Sequence, residues 1–415
     1  MTPYRLVCTD CGGSFDPAAA EYLCPDCGGS GPPGHAPRGV LRVEFDRPSA
    51  PFPDPAFPDA RRWHALLPLA SPDLLPPLPV GPTPLHHPAR LARELGLPGL
   101  VLKDDTGLPT GSLKDRASSV VVGKARELGR DTITTASTGN AAVALAAMAA
   151  SVGLRAVILV PQTSPIAKRT QMLVFGATVV PVEGTYDDAY ALSLEATRVF
   201  GWYNRSTAYN PYTIDGKKTV AFELWEQLGR RAPDAVVVPT GDGVILAGVH
   251  KGFCDLHALG LVDRLPRLYA AQAAGSAAIT RACERADGEV PGHAGARTIA
   301  DSICVSVPAA GRWAVRALRE TGGGGLTVTD DEITEAIGLL GRTAGIFAEP
   351  AAAAALAGVR RATREGLVRP GETIAVLVTG NGLKDVAAGG RAVTMPEPIV
   401  PTLEALRRRV AAEAS

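Results

Sequence analysis

The segment that decides the fold is Val101–Ser118, which reads VLKDDTGLPTGSLKDRAS. It joins a short apolar run to a helical one through the turn Pro-Thr-Gly-Ser (109–112), and Lys114 lies where the helix begins. The partial positive charge at a helix start favours the neutral amine of a lysine and thereby its nucleophilicity. A solvated surface lysine is the alternative, and the neighbouring residues decide between the two.

Three further turns of small polar residues follow predicted strands. They are 136–140 (ASTGN), 240–243 (TGDG) and 379–382 (TGNG). Such turns leave backbone N–H groups free at the start of the next helix, and these groups attract anions. One glycine turn would be weak support, since many strand–helix turns need glycine for steric reasons only. Three of them at the same edge of a sheet predict an anionic ligand in a cleft.

From about residue 89, short β-branched runs alternate with apolar helical segments, and this pattern predicts βαβ units. Parallel strands covered by helices on both faces place all strand C-termini at one edge of the sheet. We therefore predict an α/β fold with parallel sheets. The predicted strands are 132–135, 156–160, 178–181, 235–239, 268–271 and 374–379, and the predicted helices between the first of them are 139–152, 165–175 and 186–200.

These segments, in this order, resemble the motifs of threonine synthases, which belong to the fold-type II (tryptophan synthase beta-like) enzymes that use pyridoxal 5′-phosphate. The stretch Pro-Thr-Gly-Ser-Leu-Lys-Asp-Arg (109–116) is similar to their lysine motif, and 215–219 and 347–358 are similar to further stretches. The resemblance covers roughly residues 78–390. It implies a fold-type II enzyme with two parallel-sheet lobes around the cofactor.

The resemblance also implies a role for each matching residue. Lys114 is expected to form the Schiff base with the cofactor and to act as the general base. The expected cofactor contacts are Lys114, Asn140, Thr240, Gly241, Asp242, Gly243, Val244 and Thr379. Ser137 and Thr138 are expected to hold the substrate carboxylate. A second anion site for a phosphorylated substrate has the candidates Lys103, Thr110, Ser112, Arg116 and Lys217, which the sequence does not rank.

The implied reaction is that of a threonine synthase or a close paralogue, which converts O-phospho-L-homoserine and water to L-threonine and phosphate. A hydroxyl at Thr379 opposite the ring nitrogen suits elimination and replacement at Cβ or Cγ. Leu108 and Leu113 replace the family's usual Asn and Phe, so a second reading stays open. It is β-replacement or β-elimination on O-phosphoserine, serine or threonine, as in cysteate synthase or a dehydratase. A third reading is that the chain is a non-catalytic binding protein.

Asp242 is the oddest departure from the family pattern, because a carboxylate in a phosphate-binding turn repels the phosphate at short range. Its side chain is expected to point away, to pair with a cation or to cap the following helix, and we favour the cap. A changed phosphate contact is the remaining alternative.

Four of the seven cysteines form two Cys-x-x-Cys-Gly turns, with Cys8 and Cys11 in the first and, after 12 intervening residues, Cys24 and Cys27 in the second. This spacing brings four thiolates to one tetrahedral point and predicts a structural Zn²⁺ site in an N-terminal ribbon. Rubredoxin-type iron and a metal-free remnant are the alternatives. Because all four ligands are cysteines, we predict no catalytic role for the metal.

The composition of the chain bounds its partners and its organisation. In 415 residues, 42 Lys and Arg balance 42 Asp and Glu, which argues against nucleic acid and membrane surfaces as partners. No apolar run reaches 18 residues and no signal sequence is recognisable, so we expect a cytoplasmic protein. The family resemblance also implies that the protein forms a homodimer. The predicted regions are a zinc ribbon (1–30), a Pro-rich approach segment (31–88), a catalytic core (89–395) with a small lobe at about 118–220 inserted in the larger one, and a C-terminal helix (396–415).

Overall fold

A computed structural model of the chain describes residues 3–46, 48 and 51–413. The strands of this part of the chain are β1 (Tyr4–Cys8), β2 (Ser14–Phe15), β3 (Leu41–Phe45), β4 (Leu85–His86), β5 (Leu100–Asp104), β6 (Thr132–Ala136), β7 (Arg155–Pro161), β8 (Thr178–Val182), β9 (Tyr203–Asn204), β10 (Ala235–Pro239), β11 (Arg267–Ala273), β12 (Gly324–Val328) and β13 (Ile374–Val378). Residues 1–2 of the predicted ribbon and 414–415 of the predicted C-terminal helix lie outside the described residues.

Helices separate most of the strands. They are α1 (Ala89–Leu95), α2 (Lys114–Glu127), α3 (Asn140–Ser151), α4 (Ile166–Val174), α5 (Tyr186–Phe200), α6 (Tyr212–Lys217), α7 (Thr219–Gln227), α8 (Val244–Ala258), α9 (Ala278–Cys283), α10 (Gly311–Glu320), α11 (Asp330–Ala344), α12 (Pro350–Arg364), α13 (Val386–Gly389) and α14 (Leu403–Glu413). Among the described helices, none is both long enough and apolar enough to cross a membrane.

Two sheets of parallel strands organise the chain. The larger has six strands in the order β12-β11-β10-β13-β5-β4, and only its edge strand β4 runs antiparallel to its neighbour. The smaller has four parallel strands in the order β8-β7-β6-β9. The predicted α/β fold with parallel sheets is confirmed. The C-terminal ends of β6, β10 and β13 carry the three polar turns.

Small side chains let helices approach these sheets closely. In α12 the run 351–355 is five alanines, all of them buried, and the helix packs across β10, β11, β12 and β13. Helix α3 (NAAVALAAMAAS) is apolar on nearly all sides, and it is buried over most of its length. A helix that is apolar all round belongs in the interior of a domain. Asn140 and Glu349, at the starts of these two helices, are both buried.

The N-terminal region forms a separate three-stranded sheet in which β1 pairs antiparallel with both β2 and β3. Because β3 contributes to it, this unit extends past residue 30 into the Pro-rich segment. It docks on the catalytic core through Tyr4, whose hydroxyl lies 3.2 Å from the hydroxyl of Tyr212 and accepts a hydrogen bond of 3.1 Å from Lys124 Nζ. Arg312 Nε donates to Asp10 Oδ1 at 2.8 Å beside it.

The strands and helices predicted between residues 132 and 379 agree with the structure to within two residues at each end, whereas the C-terminal helix predicted for 396–415 begins only at Leu403. Strand β10 and helix α5 have the predicted bounds, whereas the strand predicted to end at Thr379 ends one residue earlier. Three strands of the large sheet, β4, β5 and β12, have no counterpart among the predicted ones. Strand β12 begins inside the run Gly322–Gly325, and four successive glycines carry no side-chain pattern by which a strand is recognised.

Candidate active site

Lys114 is the first residue of α2, and the turn before it is hydrogen-bonded to the turn after β13. The N–H of Leu113 donates to the carbonyl of Thr379 at 2.9 Å, and the N–H of Asn381 donates to the carbonyl of Gly111 at 2.9 Å. The buried carboxylate of Asp115 closes the same turn. These bonds fix the backbone of Lys114 beside the end of β13.

The side chain of Lys114 lines a cavity between the two sheets, at the edge where β6 and β10 end. The expected residues Ser137, Thr138 and Asn140 line one side. The turn 240–243 lines another. The structure thus brings together Lys114 and two of the three polar turns. The wall also contains residues that the sequence did not single out, among them Tyr186, Arg205, Asp301, Ser302 and Cys304.

Asn140 begins α3 and meets a buried carboxylate from the other sheet. Its Nδ2 donates to Glu349 Oε1 at 2.7 Å, and the Glu349 residue is 2 % exposed at the start of α12. Gly380 permits this approach, because a Cβ at that position would lie 2.1 Å from Glu349 Oε1. Burial raises the pKa of Glu349, while Lys168 and the bond from Asn140 act in the opposite direction.

The turn 240–243 carries the carboxylate that departs from the family pattern. Asp242 Oδ1 accepts a hydrogen bond of 3.1 Å from the N–H of Val244, the first residue of α8. The N-cap position itself is occupied by Gly243, which has φ +86°, a left-handed conformation that favours glycine. The bond to Val244 does not turn Asp242 away from the cavity, since this residue also contributes to the wall.

The cavity is rich in buried positive charge. Lys114, Arg205 and Lys217 all line it, and burial lowers the pKa of each below its usual value. For Arg205 the pKa falls to about 10. The nearby charges of Lys114 and Arg205 lower the pKa of Lys217 further, whereas the carboxylate of Asp242 raises it. A lowered pKa makes the neutral, nucleophilic amine of Lys114 more accessible.

Two predicted substrate contacts, Lys103 and Arg116, do not reach this cavity, and the prediction for them is wrong. The ammonium of Lys103 donates to Glu223 Oε2 at 2.6 Å, to Gln227 Oε1 at 2.8 Å and to the carbonyl of Thr83 at 2.7 Å. All three of its N–H donors are thereby used. The guanidinium of Arg116 is likewise consumed by Asp105, Glu223, Thr83 and Thr219.

Thr110, Ser112 and Thr379 lie close to Lys114 but are placed differently from one another. The hydroxyl of Thr110 donates to Asp115 Oδ1 at 2.6 Å and so serves the turn itself. Ser112 is fully buried, and its Oγ has no hydrogen-bond partner among the described residues. Thr379 is buried at the end of β13. Of these three, Ser112 retains a buried polar atom free for a ligand.

A contact between the two lobes crosses the side of the cavity. Lys168 on α4 donates to both carboxylate oxygens of Asp301, at 2.8 and 2.9 Å, and to Ser302 Oγ at 3.1 Å. The lysine lies over the turn after β6, because a Cβ at Gly139 would come within 2.2 Å of its Cδ. This ion pair joins α4 of the small sheet to the segment 301–303 of the other lobe.

The residues around Lys114 fit a flat polar ring that carries a phosphate. Asn140 Oδ1, Glu349 Oε2, Ser112 Oγ and Arg205 Nη2 are buried without a hydrogen-bond partner among the described residues. Unsatisfied buried polar atoms are costly, so such a group calls for an explanation, a bound ligand among them. Pyridoxal 5′-phosphate needs a lysine amine, polar contacts to its ring and a site for its phosphate. The amine of Lys114 and the polar atoms around it suit these needs.

The four N-terminal cysteines converge as the sequence predicts. Cys8 Sγ lies 3.5 Å from Cys27 Sγ, and Cys11 Sγ lies 3.6 Å from Cys24 Sγ. All four sulfur atoms lie within 4.8 Å of one another. In a tetrahedral site with metal–sulfur bonds of about 2.3 Å, the sulfur atoms are about 3.8 Å apart. The spacing is too long for disulfides and is close to that of a four-thiolate metal site.

A second cluster, formed by His250, Cys254 and Glu320, does not suit a metal although its polar atoms are equally close. Trp313 donates its indole N–H to His250 Nδ1 at 3.2 Å. Because an indole can only donate, Nδ1 must accept and the ring proton lies on Nε2, which faces Glu320 Oε2 at 3.2 Å. The nitrogen aimed at the cluster is thus a donor rather than a ligand.

Comparisons with known proteins agree with this geometry. The profile of a family described as "Pyridoxal-phosphate dependent enzyme" matches residues 77–380. The chain is 33 % identical over 412 residues to a threonine synthase of Methanosarcina acetivorans, covering 98 % of both chains. It is 35 % identical over 348 residues to a threonine synthase of Methanocaldococcus jannaschii, covering 84 % of this chain and 86 % of that protein. Among solved structures, an L-serine ammonia-lyase from Rhizomucor miehei shares the fold, with a TM-score of 0.65, 22 % identity and coverage of 75 % and 96 % of the two chains.

Proposed function

The chain belongs to the family of pyridoxal-phosphate dependent enzymes, and we propose that it is a threonine synthase that converts O-phospho-L-homoserine and water to L-threonine and phosphate. The observation that carries this proposal is the cavity in which Lys114, the turn 137–140 and the turn 240–243 meet. The comparisons support the proposal, because the chain is 33 % identical to a threonine synthase along almost its whole length.

Three residues and one turn are proposed to hold the cofactor. Lys114 binds its carbonyl carbon, Asn140 contacts the ring hydroxyl and Thr379 meets the ring nitrogen. The turn formed by Thr240, Gly241, Asp242, Gly243 and Val244 lies at the phosphate. When bound, pyridoxal phosphate withdraws electrons from the α-carbon of an amino acid and so makes its proton removable.

Lys114 is proposed to be the base that takes this proton. Burial lowers its pKa, so its amine is more readily free of a proton than that of a surface lysine. Its position at the start of α2 is held by the bonds to the turn after β13, which keeps the amine from drifting during the reaction. Ser137 and Thr138, in the turn before α3, are proposed to bind the substrate carboxylate through that helix start.

The test is an assay of the purified protein with pyridoxal phosphate and either O-phospho-L-homoserine or O-phospho-L-serine. We expect phosphate and L-threonine in equal amounts from the first substrate, measured by phosphate release and amino-acid analysis. Phosphate from O-phospho-L-serine alone would instead favour the β-replacement or β-elimination alternative. Turnover of neither compound would overturn the assignment as a threonine synthase.

The cysteine cluster is proposed to bind one structural Zn²⁺. Four thiolates close the coordination sphere, and the N–H groups of Asp10 and Cys11 point to Cys8 Sγ at 3.4 and 3.5 Å, where they stabilise a thiolate. The site lies in the N-terminal sheet, apart from the Lys114 cavity, so its metal has no part in the reaction. A cytoplasmic location and a homodimer are proposed from the family resemblance alone.

Changing Cys24 to Ser tests the zinc proposal. We expect about one zinc per chain in the wild type by elemental analysis, and a large loss of zinc in the variant because one of four ligands is gone. Cys283→Ser, outside the cluster, serves as the control and should keep its zinc. Equal metal content in all three proteins, or a wild type that carries iron, would contradict the proposal.

A further inference from the structure

Arg205 and Lys217 are buried cations whose charge this chain leaves largely uncompensated. Each residue is 2 % exposed, and both line the cavity beside Lys114. Arg205 follows β9 directly; its Nε donates to Ser118 Oγ at 3.2 Å, and its Nη2 is buried without a partner in the described part of the chain. Lys217 Nζ makes no hydrogen bond or ion pair with any described residue. A buried charge without a partner destabilises the folded state.

The neighbouring lysines show how unusual this is. Lys218, the next residue, lies 2.5 Å from Asp215 Oδ1 and 2.9 Å from Asp255 Oδ2. Lys103 and Lys168 are likewise paired, with Glu223 and Asp301. The fold therefore supplies carboxylates to other deeply buried lysines, but none lies within ion-pair distance of Lys217 in the described chain. Its charge is available to a ligand.

Asp242 cannot supply the missing charge for all of them. The charge of its single carboxylate favours the protonated forms of Lys114, Arg205 and Lys217 alike, and one of its oxygens already accepts the N–H of Val244. Asp301 also lines the cavity but is paired with Lys168, and Lys114 serves as a neutral amine, so Arg205 and Lys217 are left to share the one carboxylate of Asp242. The same carboxylate makes the turn 240–243 a poor phosphate site on its own, because it occupies the helix start and repels a second anion.

The position of Lys217 relative to α8 supplies the remaining geometry. A Cβ at Gly248, in the second turn of α8, would lie 2.8 Å from Lys217 Cβ. The lysine thus leaves α6 beside the first turns of α8, whose start is the turn 240–243, and contributes to the same cavity wall as that turn. Arg205 approaches this region from the end of the small sheet.

We infer that Arg205 and Lys217 together bind the phosphate group of a monoester in front of the turn 240–243, and so replace the anion-binding capacity that Asp242 removes from this turn. The inference rests on the proposed function, because the two phosphate esters that this cavity would receive are the cofactor and the substrate. A guanidinium and an ammonium meeting at one dianion match the charge of a phosphate monoester.

The test uses the variants Arg205→Gln and Lys217→Gln, with Arg198→Gln as a charge-matched control on the exposed face of α5. The first arm titrates the cofactor-free protein with pyridoxal 5′-phosphate and with pyridoxal, which lacks the phosphate, and follows visible absorbance. The second arm titrates the cofactor-loaded protein with inorganic phosphate in a calorimeter. Neither arm requires turnover, so a failure of the threonine synthase assignment is distinguishable from a failure of this inference.

Each source of the phosphate has its own signature. If the pair binds the cofactor phosphate, both variants bind pyridoxal 5′-phosphate about 10- to 100-fold more weakly, while pyridoxal is bound as by the wild type. If it binds the substrate phosphate, the affinity for the cofactor is unchanged and that for inorganic phosphate falls about 10- to 100-fold. In either case Arg205→Lys and Lys217→Arg restore much of the affinity.

A purely structural role gives the opposite pattern. Removing an unpaired buried charge should leave the thermal midpoint of the cofactor-free protein unchanged or higher, whereas removing a structural contact lowers it. The inference would be overturned if both variants bound pyridoxal 5′-phosphate and inorganic phosphate with affinities within about twofold of those of the wild type.

Discussion

Replacing Lys114 by alanine is expected to lower kcat for O-phospho-L-homoserine by about a thousandfold or more. The amine is proposed both to hold the cofactor and to move the α-proton, and loss of a positioned general base alone costs about 10²–10⁴-fold. The visible absorbance of the bound cofactor should shift or vanish as well. Steady-state kinetics and an absorbance spectrum measure both effects on the same sample.

Lys124→Gln is the matched control for this variant. Lys124 lies on the same helix α2, buried against the N-terminal sheet, where its Nζ donates to Tyr4 Oη at 3.1 Å and to Glu127 Oε2 at 3.0 Å. It has no contact with the cavity, so its activity and absorbance should resemble those of the wild type. A Lys114→Ala protein with unchanged kcat would contradict the assignment of Lys114 and would revive a non-catalytic role.

Replacing Glu223 by glutamine is expected to lower the free energy of unfolding by about 3–5 kcal/mol, because the change leaves buried positive charges without compensation. Glu223 lies 2.6 Å from both Lys103 Nζ and Arg116 Nη1, and all three side chains are fully buried. Chemical denaturation of the wild type and the variant measures the difference. A loss below about 1 kcal/mol would contradict the picture of a tightly coupled network.

Glu335→Gln is the control, since its ion pair with Arg360 lies at the surface with 62 % of the Glu335 side chain exposed. An exposed pair contributes about 0.5 kcal/mol or less. The dependence of stability on pH distinguishes the buried Glu223 from the exposed Glu335 as well. Burial by itself would raise the pKa of Glu223, but Arg116 and Lys103 lower it to about 2. The stabilisation is thus complete above the ordinary carboxyl pKa of 4.5, and the wild type loses it as the pH falls from there towards 2.

The parts of the site that could be predicted from sequence are those encoded by short local motifs. A glycine turn between a strand and a helix has nearly the same geometry wherever it occurs, so the turns at 137–140 and 240–243 are recognisable without knowledge of the fold. The same holds for the two Cys-x-x-Cys-Gly turns. The hydrogen bond of Asp242 is also local, since its donor is the N–H of the residue two positions further along.

Side chains whose role depends on distant partners could not be predicted in this way. Lys103 and Arg116 look available in the sequence because Glu223, which binds both, lies more than 100 positions further along the chain. Arg205 is the converse case. It stands in the polar and aromatic segment 203–212, which carries no recognisable local motif, and only the fold shows that its Nη2 lacks a partner among the described residues.

The central claim, that Lys114 is the lysine that bears pyridoxal phosphate, is tested most directly by chemical trapping. Sodium borohydride reduces the bond between the cofactor and its lysine, and mass spectrometry of the digested protein then locates the modified residue. We predict the pyridoxyl group on a peptide in which Lys114 is the modified residue, and its absence from that peptide in Lys114→Ala. A modification at Lys217, the other lysine of the cavity, or the absence of any modified lysine in the loaded protein, would contradict the account.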